Sequence, residues 1–266
     1  MKGFILAIQS EFYKSRKTLG FWSGIILPTI ICLLVFFGMY SNSAKLEHLP
    51  PAGLWVIYTS AISNVMGFLL PFFVILVAYS VNSIEHKADT WKTLFSLPIS
   101  KWAIYAAKYL YVMLLVFICL LLFLAFTIGT GNLLGVLKPE LKFSEFHMEW
   151  ALTQVYLKLF LAAIGIISIQ FLLSLVWGDF LKPMGIGFVC TICGMIMAGM
   201  QWQYAYLFPY AHPMMALRSM NPRTGKNVVK LEFVVDMFTK DLYVGLAVGV
   251  VVFIAGYYIV QRKSVK

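Results

Sequence analysis

Long apolar runs separated by short polar stretches dominate the chain. Six of them reach the roughly 20 residues that a bilayer-crossing helix needs: Phe21–Tyr40, Leu54–Ser80, Ala103–Thr130, Leu152–Trp177, Met184–Tyr206 and Leu242–Val260. The runs are continuous rather than alternating, which excludes a transmembrane β-barrel. The first contains Pro28 and is too long for a signal-peptide core, so it reads as a retained anchor. Pro28 and Pro71 predict kinks in the first and second spans. Ahead of the first span, Phe4–Leu19 follows a helical period. Phe4, Ile5, Ile8, Phe12 and Leu19 share one face, and Ser10, Glu11, Lys14, Lys17 and Thr18 lie opposite. Residues 1–20 are therefore expected as an interfacial amphipathic helix resting on membrane lipid. The longest polar stretch, 207–241, separates the last two spans, and its second half, Val228–Thr239, is expected as a short surface helix. The predicted fold is all-α, a single polytopic unit over 1–266, with no internal repeat and no linker that divides it.

Composition supports this pattern. Hydrophobic residues make up 61% of the chain, charged residues 12%, and mean hydropathy is +0.85. Soluble domains carry about 25% charged residues, and a soluble monomer this apolar would expose large greasy patches. A soluble enzyme, a secreted disulfide scaffold and a disordered chain are thus excluded. The net charge of +10 would suggest nucleic acid in a soluble protein. Here the basic residues flank apolar runs, so they serve orientation and headgroup contact, and no nucleic-acid partner is expected. Lys and Arg are in modest excess on the side of the N-terminus, which predicts a multi-pass plasma-membrane protein with both termini cytoplasmic. The basic 207–241 stretch opposes that bias, but a long loop counts for less.

Catalytic chemistry is sparse. Intramembrane catalysis and ion coupling need ionisable groups held inside the bundle. The span centres contain no Asp, Glu, Lys, Arg or His, and Lys108 and Lys158 lie near helix ends, where they can snorkel. There is no His-Glu-x-x-His motif; His147 and Glu149 have the wrong spacing, and His212 stands alone in a loop. Gly225-Lys226 resembles the end of a phosphate-binding loop, but Met220 and Asn227 occupy positions that need Gly and Ser or Thr. The chain alone cannot bind a nucleotide in that manner. Cys190-x-x-Cys193 lacks further ligands in its run, and Cys32 and Cys119 also lie in apolar runs, so no metal is expected.

Neutral polar groups within the spans, including Ser60, Ser63, Asn64, Ser168, Gln170, Ser174, Gln201 and Gln203, can either pack helices together or line a path for an amphipathic substrate. Gly187, Cys190, Gly194 and Ala198 form a small-residue stripe on the fifth span, and Gly245, Gly249 and Gly256 form one on the sixth. Such stripes allow close backbone approach, within one chain or between subunits.

The most informative stretch is the loop over 81–102. A helix from Glu85 to Leu97 would place Ala88, Trp91, Leu94 and Phe95 on one side and Glu85, Asp89, Lys92 and Ser96 on the other. Acids near its start suit the helix dipole, Pro98 stops it, and Ser100 can cap the third span. A short amphipathic helix with an aromatic face suits docking into a partner's groove.

The run E-H-K-A-D-T-W-K-T-L-F-S-L-P-I-S-K, followed by Tyr105 and Lys108, resembles the first cytoplasmic loop of ABC-2 type exporter permeases. Within that family the chain is most similar to small lantibiotic-immunity and bacitracin-resistance permeases. Ser10-Glu11 and Lys14 match their "SE-x-x-K" opening, and the length, six spans and inside termini match as well. The resemblance implies a coupling helix, Glu85 through Leu97, seated on a separate ABC ATP-binding subunit through Glu85, Asp89, Trp91, Lys92, Leu94, Phe95 and Pro98. It also implies a connecting helix at Phe4–Leu19, a second permease copy or relative, ATP bound only by the partner, and export of an amphipathic peptide or lipid-linked antibiotic. Other cargo (a polysaccharide, haem or a drug) and a non-transporting scaffold or sensor are the competing readings.

Overall fold

The computed structural model describes residues 2–96, 98–223 and 232–262. Helix α1 covers Lys2–Ser15, and α2, Leu19–Ser41, is the first span. Between them the chain turns, and the Thr18 hydroxyl accepts from the Phe21 N–H to cap α2. The short α3, Ser43–Leu46, leads to α4, Pro51–Ala88, with proline at its first position, where a missing N–H costs nothing. Then follow α5 (Trp91–Ser96), α6 (Lys101–Leu137), α7 (Glu149–Val176), α8 (Leu181–Gly199), α9 (His212–Leu217) and α10 (Lys240–Arg262). Six of these, α2, α4, α6, α7, α8 and α10, are long and apolar enough to cross a membrane, so this is an all-α polytopic membrane protein. Six crossings return the chain to its starting side. That side is termed proximal and the other distal.

The span boundaries differ from the hydropathy pattern in two ways. Helices α4 and α6, at 38 and 37 residues, are each about 55 Å long at 1.5 Å per residue, far more than the roughly 30 Å apolar layer. Both continue past their apolar segments into polar sequence, and at the proximal side they carry Glu85 and Lys108. The fifth span ends at Gly199 rather than Tyr206 because Gln201 turns left-handed (φ 52°), and Gln201 and Gln203 are exposed beyond it. The surface helix expected at Val228–Thr239 is corrected as well. Glu232–Val235 is a strand, β2, paired antiparallel with β1, Met220–Arg223. Phe233, Val234 and Val235 prefer a pleated, half-buried surface; Val235 is buried and Phe233 meets Phe146 edge to face. Residues 224–231, including Gly225-Lys226, lie outside the described residues.

Helix α7 is the most enclosed span, packed against α4, α6 and α10. The small-residue stripes face inward, within the same chain. A Cβ at Gly194 would sit 2.5 Å from the Tyr210 carbonyl carbon, and one at Gly187 would sit 2.5 Å from Ile75. At Gly245 and Gly249 a Cβ would meet His212 Nδ1 at 2.9 Å and Ile164 at 2.7 Å. Several neutral polar groups inside the spans tie helices together. Asn82 donates to Ser174 Oγ at 2.8 Å, Tyr109 and Ser168 share a hydrogen bond at 2.7 Å, and Gln170 donates to the Tyr210 hydroxyl. At the distal end, Trp55 Nε1 donates to the Phe143 carbonyl at 3.0 Å.

Candidate coupling site

The expected single helix from Glu85 to Leu97 is two pieces. Glu85 belongs to the last turn of α4, which ends when Asp89 adopts a left-handed conformation (φ 48°, ψ 36°). Aspartate is among the few non-glycine residues that visit this region readily. The Asp89 N–H donates to the Glu85 carbonyl, as does that of Thr90 at 3.1 Å. The chain then restarts as α5. Asp89 and Pro98 are exposed, and the Ser100 hydroxyl caps α6 by accepting from the Ala103 N–H at 3.2 Å. The side chains of Lys92, Leu94 and Phe95, and all of Leu97, lie outside the described part of the structure.

Glu85 is therefore not on an exposed face. It is 2% exposed and belongs to a ring of four charges. Lys108 Nζ donates to Glu85 Oε2 at 2.6 Å, to Glu11 Oε2 at 3.0 Å and to the Val81 carbonyl at 3.2 Å. Lys14 Nζ donates to Glu85 Oε1 at 2.9 Å and to Glu11 Oε1 at 3.0 Å. Two carboxylates and two ammonium groups alternate, so the net charge is zero and every carboxylate oxygen is used. Burial alone would lower the Lys14 pKa, but Glu11 and Glu85 outweigh it and hold that pKa above the ordinary lysine value.

This ring also corrects one sequence expectation. Lys108, at 1% exposure, does not snorkel, because paired carboxylates hold it inward. In α1 the polar face turns toward the bundle, and the apolar residues Ile5 and Phe12 face outward. A further hydrogen bond, between the Ser15 and Tyr111 hydroxyls, fixes the end of α1 to α6.

The first residue of α5 is tied to the same region. Trp91 Nε1 donates to His86 Nδ1 at 3.1 Å, which leaves Nε2 protonated to donate to the Ser174 carbonyl at 3.1 Å. The Trp91 and His86 rings meet at 5.3 Å between centroids. Lys108 Nζ lies 5.7 Å from the centre of the Trp91 ring, within cation–π range. A Cβ at Gly178 would approach His86 Nδ1 to 3.1 Å, so the chain after α7 closes over the imidazole. Helix α5 is thus anchored by one aromatic residue to α4, α6 and α7, and the charge ring adds α1.

A second buried polar group lies distally. Lys158, also 1% exposed rather than snorkelling, donates to the Asp236 carbonyl at 2.6 Å. His212 is fully buried with Nε2 against the Tyr206 carbonyl at 2.8 Å. Burial keeps the His212 pKa below the usual histidine value, although that carbonyl and Asp241 of α10 act to raise it. An unfolded histidine titrates near 6.5. Below about that pH the unfolded state binds more protons than the folded one, so stability falls as pH falls. Thermal unfolding between about pH 7 and pH 5 is expected to show this loss, and His212→Gln is expected to flatten it, with Asp241 as the charged neighbour.

Six spans with a short proximal helix tethered between the second and third define a polytopic membrane protein. The family model described as ABC-2 family transporter protein matches residues 7–194, from α1 through most of α8 and including the charge ring and the 81–102 loop. The chain belongs to that family and is a membrane permease of an ABC transporter. No curated protein and no solved structure matches it. Among the described residues there is no group of three His, Cys, Asp or Glu placed to hold a metal.

Proposed function

We propose that this permease works with a separate ATP-binding subunit that docks on the segment from Asp89 to Pro98, and that the proximal side is cytoplasmic. A second copy or a related permease completes the pathway. The cargo is an amphipathic molecule, a peptide or lipid-linked antibiotic, exported from the cytoplasmic side. The observation that carries this reading is the link from Trp91 through His86 to Ser174. It makes α5 a handle on α4 and α7 rather than a loose loop.

The mechanism follows from this rigidity. Only a partner that binds ATP differs in affinity between the two conformations, so only it can drive the cycle. Its closure shifts α5. Because α5 is tied to α4, α6 and α7, these helices tilt as a body and change which side of the pathway is open. The four-charge ring moves with them and carries α1 along.

A cysteine placed at the exposed Asp89 tests the orientation and the docking together. In intact cells, Asp89→Cys is expected to resist a membrane-impermeant maleimide added outside and to react after permeabilisation. Co-expression with the cognate ATP-binding subunit is expected to protect it. Labelling from outside, or equal labelling with and without the ATP-binding subunit, would overturn the reading.

A further inference from the structure

A cavity of about 120 Å³ opens on the distal half of α4. Thr59, Ser60, Ser63 and Asn64 line it from two successive turns of that helix, and Arg218, just past α9, lines it from the other side. Gly67 lies one turn deeper, where a Cβ would come within 2.8 Å of Leu217, so α9 sits directly on the helix. These residues lie 8 to 13 positions from Pro51, roughly 12–20 Å along the axis.

The polar groups here differ from the others in the spans. Ser168, Gln170 and Ser174 are used between helices. The Ser60 hydroxyl only donates back to the Ile57 carbonyl, and among the described residues Ser63 and Asn64 have no intramolecular hydrogen-bond partner. Arg218 Nη1 donates to the Ala198 carbonyl at 2.7 Å, but among the described residues no carboxylate lies within ion-pair distance of its guanidinium. Asn64 and Arg218 are exposed, so their remaining donors are open to a ligand arriving from outside the bundle.

The chemistry of that partner follows from the donors. A guanidinium keeps further N–H groups after one bond, a serine has one O–H and an asparagine amide has two N–H groups. All can donate into one space. A ligand that satisfies them brings several acceptor oxygens and negative charge, which is the chemistry of a phosphate. The volume suits a group the size of a few waters and leaves no room for a membrane-length chain. Leu152, Val155 and Met214 continue the wall with apolar surface, so an attached tail stays in the bilayer.

We infer that this cavity binds the phosphate headgroup of a lipid-like amphiphile. The site stands independently of the docking reading. Two sources share the chemistry, a resident phospholipid and a phosphate-bearing cargo.

Dodecyl phosphate binding to the purified chain, with dodecyl maltoside as the uncharged control, is the test. Binding of the phosphate is expected to weaken about tenfold in Arg218→Gln, the scale of one charge-assisted hydrogen bond. Arg218→Lys is expected to lose less, and Asn64→Leu, a lipid-compatible change on an exposed position, is expected to weaken binding without lowering the melting temperature. Unchanged affinity in both Arg218→Gln and Asn64→Leu would overturn the inference, as would equal binding of the maltoside. Stimulation of ATP hydrolysis by dodecyl phosphate in the complex marks cargo. Retention of phosphatidylglycerol through mild extraction, lost in Arg218→Gln and without stimulation, marks a resident lipid. Failure of the ATP-binding subunit to dock would remove the export reading and leave this binding assay intact.

Discussion

Lys108→Met is expected to destabilise the protein by about 3–5 kcal/mol, the cost of breaking a buried ion pair from one side. The substitution keeps the side chain's length and apolar volume, so the loss comes from charge. Glu85 and Glu11 remain buried with Lys14 as their only cation, and the ring changes from neutral to net negative. A melting temperature lower by on the order of 10 °C in lipid nanodiscs is the expected reading. Adding Glu85→Gln restores neutrality, leaving the Lys14–Glu11 pair at the edge. The double variant is therefore expected to recover most of the loss, a strongly non-additive cycle. If the two changes simply added, the four groups would not act as one network.

The second large effect is on coupling rather than stability. Trp91→Ala removes the hydrogen bond to His86, the ring contact and the cation–π contact with Lys108. Helix α5 would still meet an ATP-binding subunit, but its movement would reach α4 and α7 less directly, without the Trp91–His86 contact. Basal ATP hydrolysis by the reconstituted complex is expected to persist, while transport falls at least about tenfold and stimulation by cargo disappears. Changes at Asp89 offer an independent control. Asp89→Gly keeps the left-handed backbone, which glycine enters freely, and is expected to retain more transport than a bulky replacement. Asp89→Val puts a β-branched residue, a genuine outlier at positive φ, at this turn and is expected to misdirect α5 and uncouple. Transport unaffected by both Trp91→Ala and Asp89→Val would remove the handle from the mechanism.

Which parts could be read from the chain follows from what each signal measures. Apolar runs report where lipid lies, so the spans were legible, as were the outward apolar residues of α1 and the cap at Ser100. The same signal falls silent where a helix leaves lipid, which is why the proximal turns of α4 read as a loop. The charge ring was out of reach because its members are distant in sequence: Glu11 and Lys108 are 97 positions apart, Lys14 and Glu85 71. Taken separately, each is an ordinary charge at a helix end. Their two-plus-two balance becomes a clue only once α1, α4 and α6 are known to converge. The left-handed turn at Asp89 had a weak local precedent in residue type, but the helical period on both sides concealed it. In the distal stretch, the short strand Glu232–Val235 was hidden because four residues are too few for period to separate a strand from a helix.

Pro71 divides α4 unequally. Proline removes a backbone hydrogen bond inside a helix, yet α4 runs unbroken through the buried Pro71 from Pro51 to Ala88 and can act as one lever about that point. The arm from Pro71 to Asp89 is roughly 27 Å, and the arm from Pro71 to Asn64 is roughly 10 Å, at 1.5 Å per residue. Rocking about that fulcrum gears the stroke down, so a shift of about 5 Å at Asp89 becomes about 2 Å at Asn64, with force multiplied in the same ratio. A motor on the long arm would trade travel for leverage, which is useful for prising a tightly held headgroup loose over a short distance.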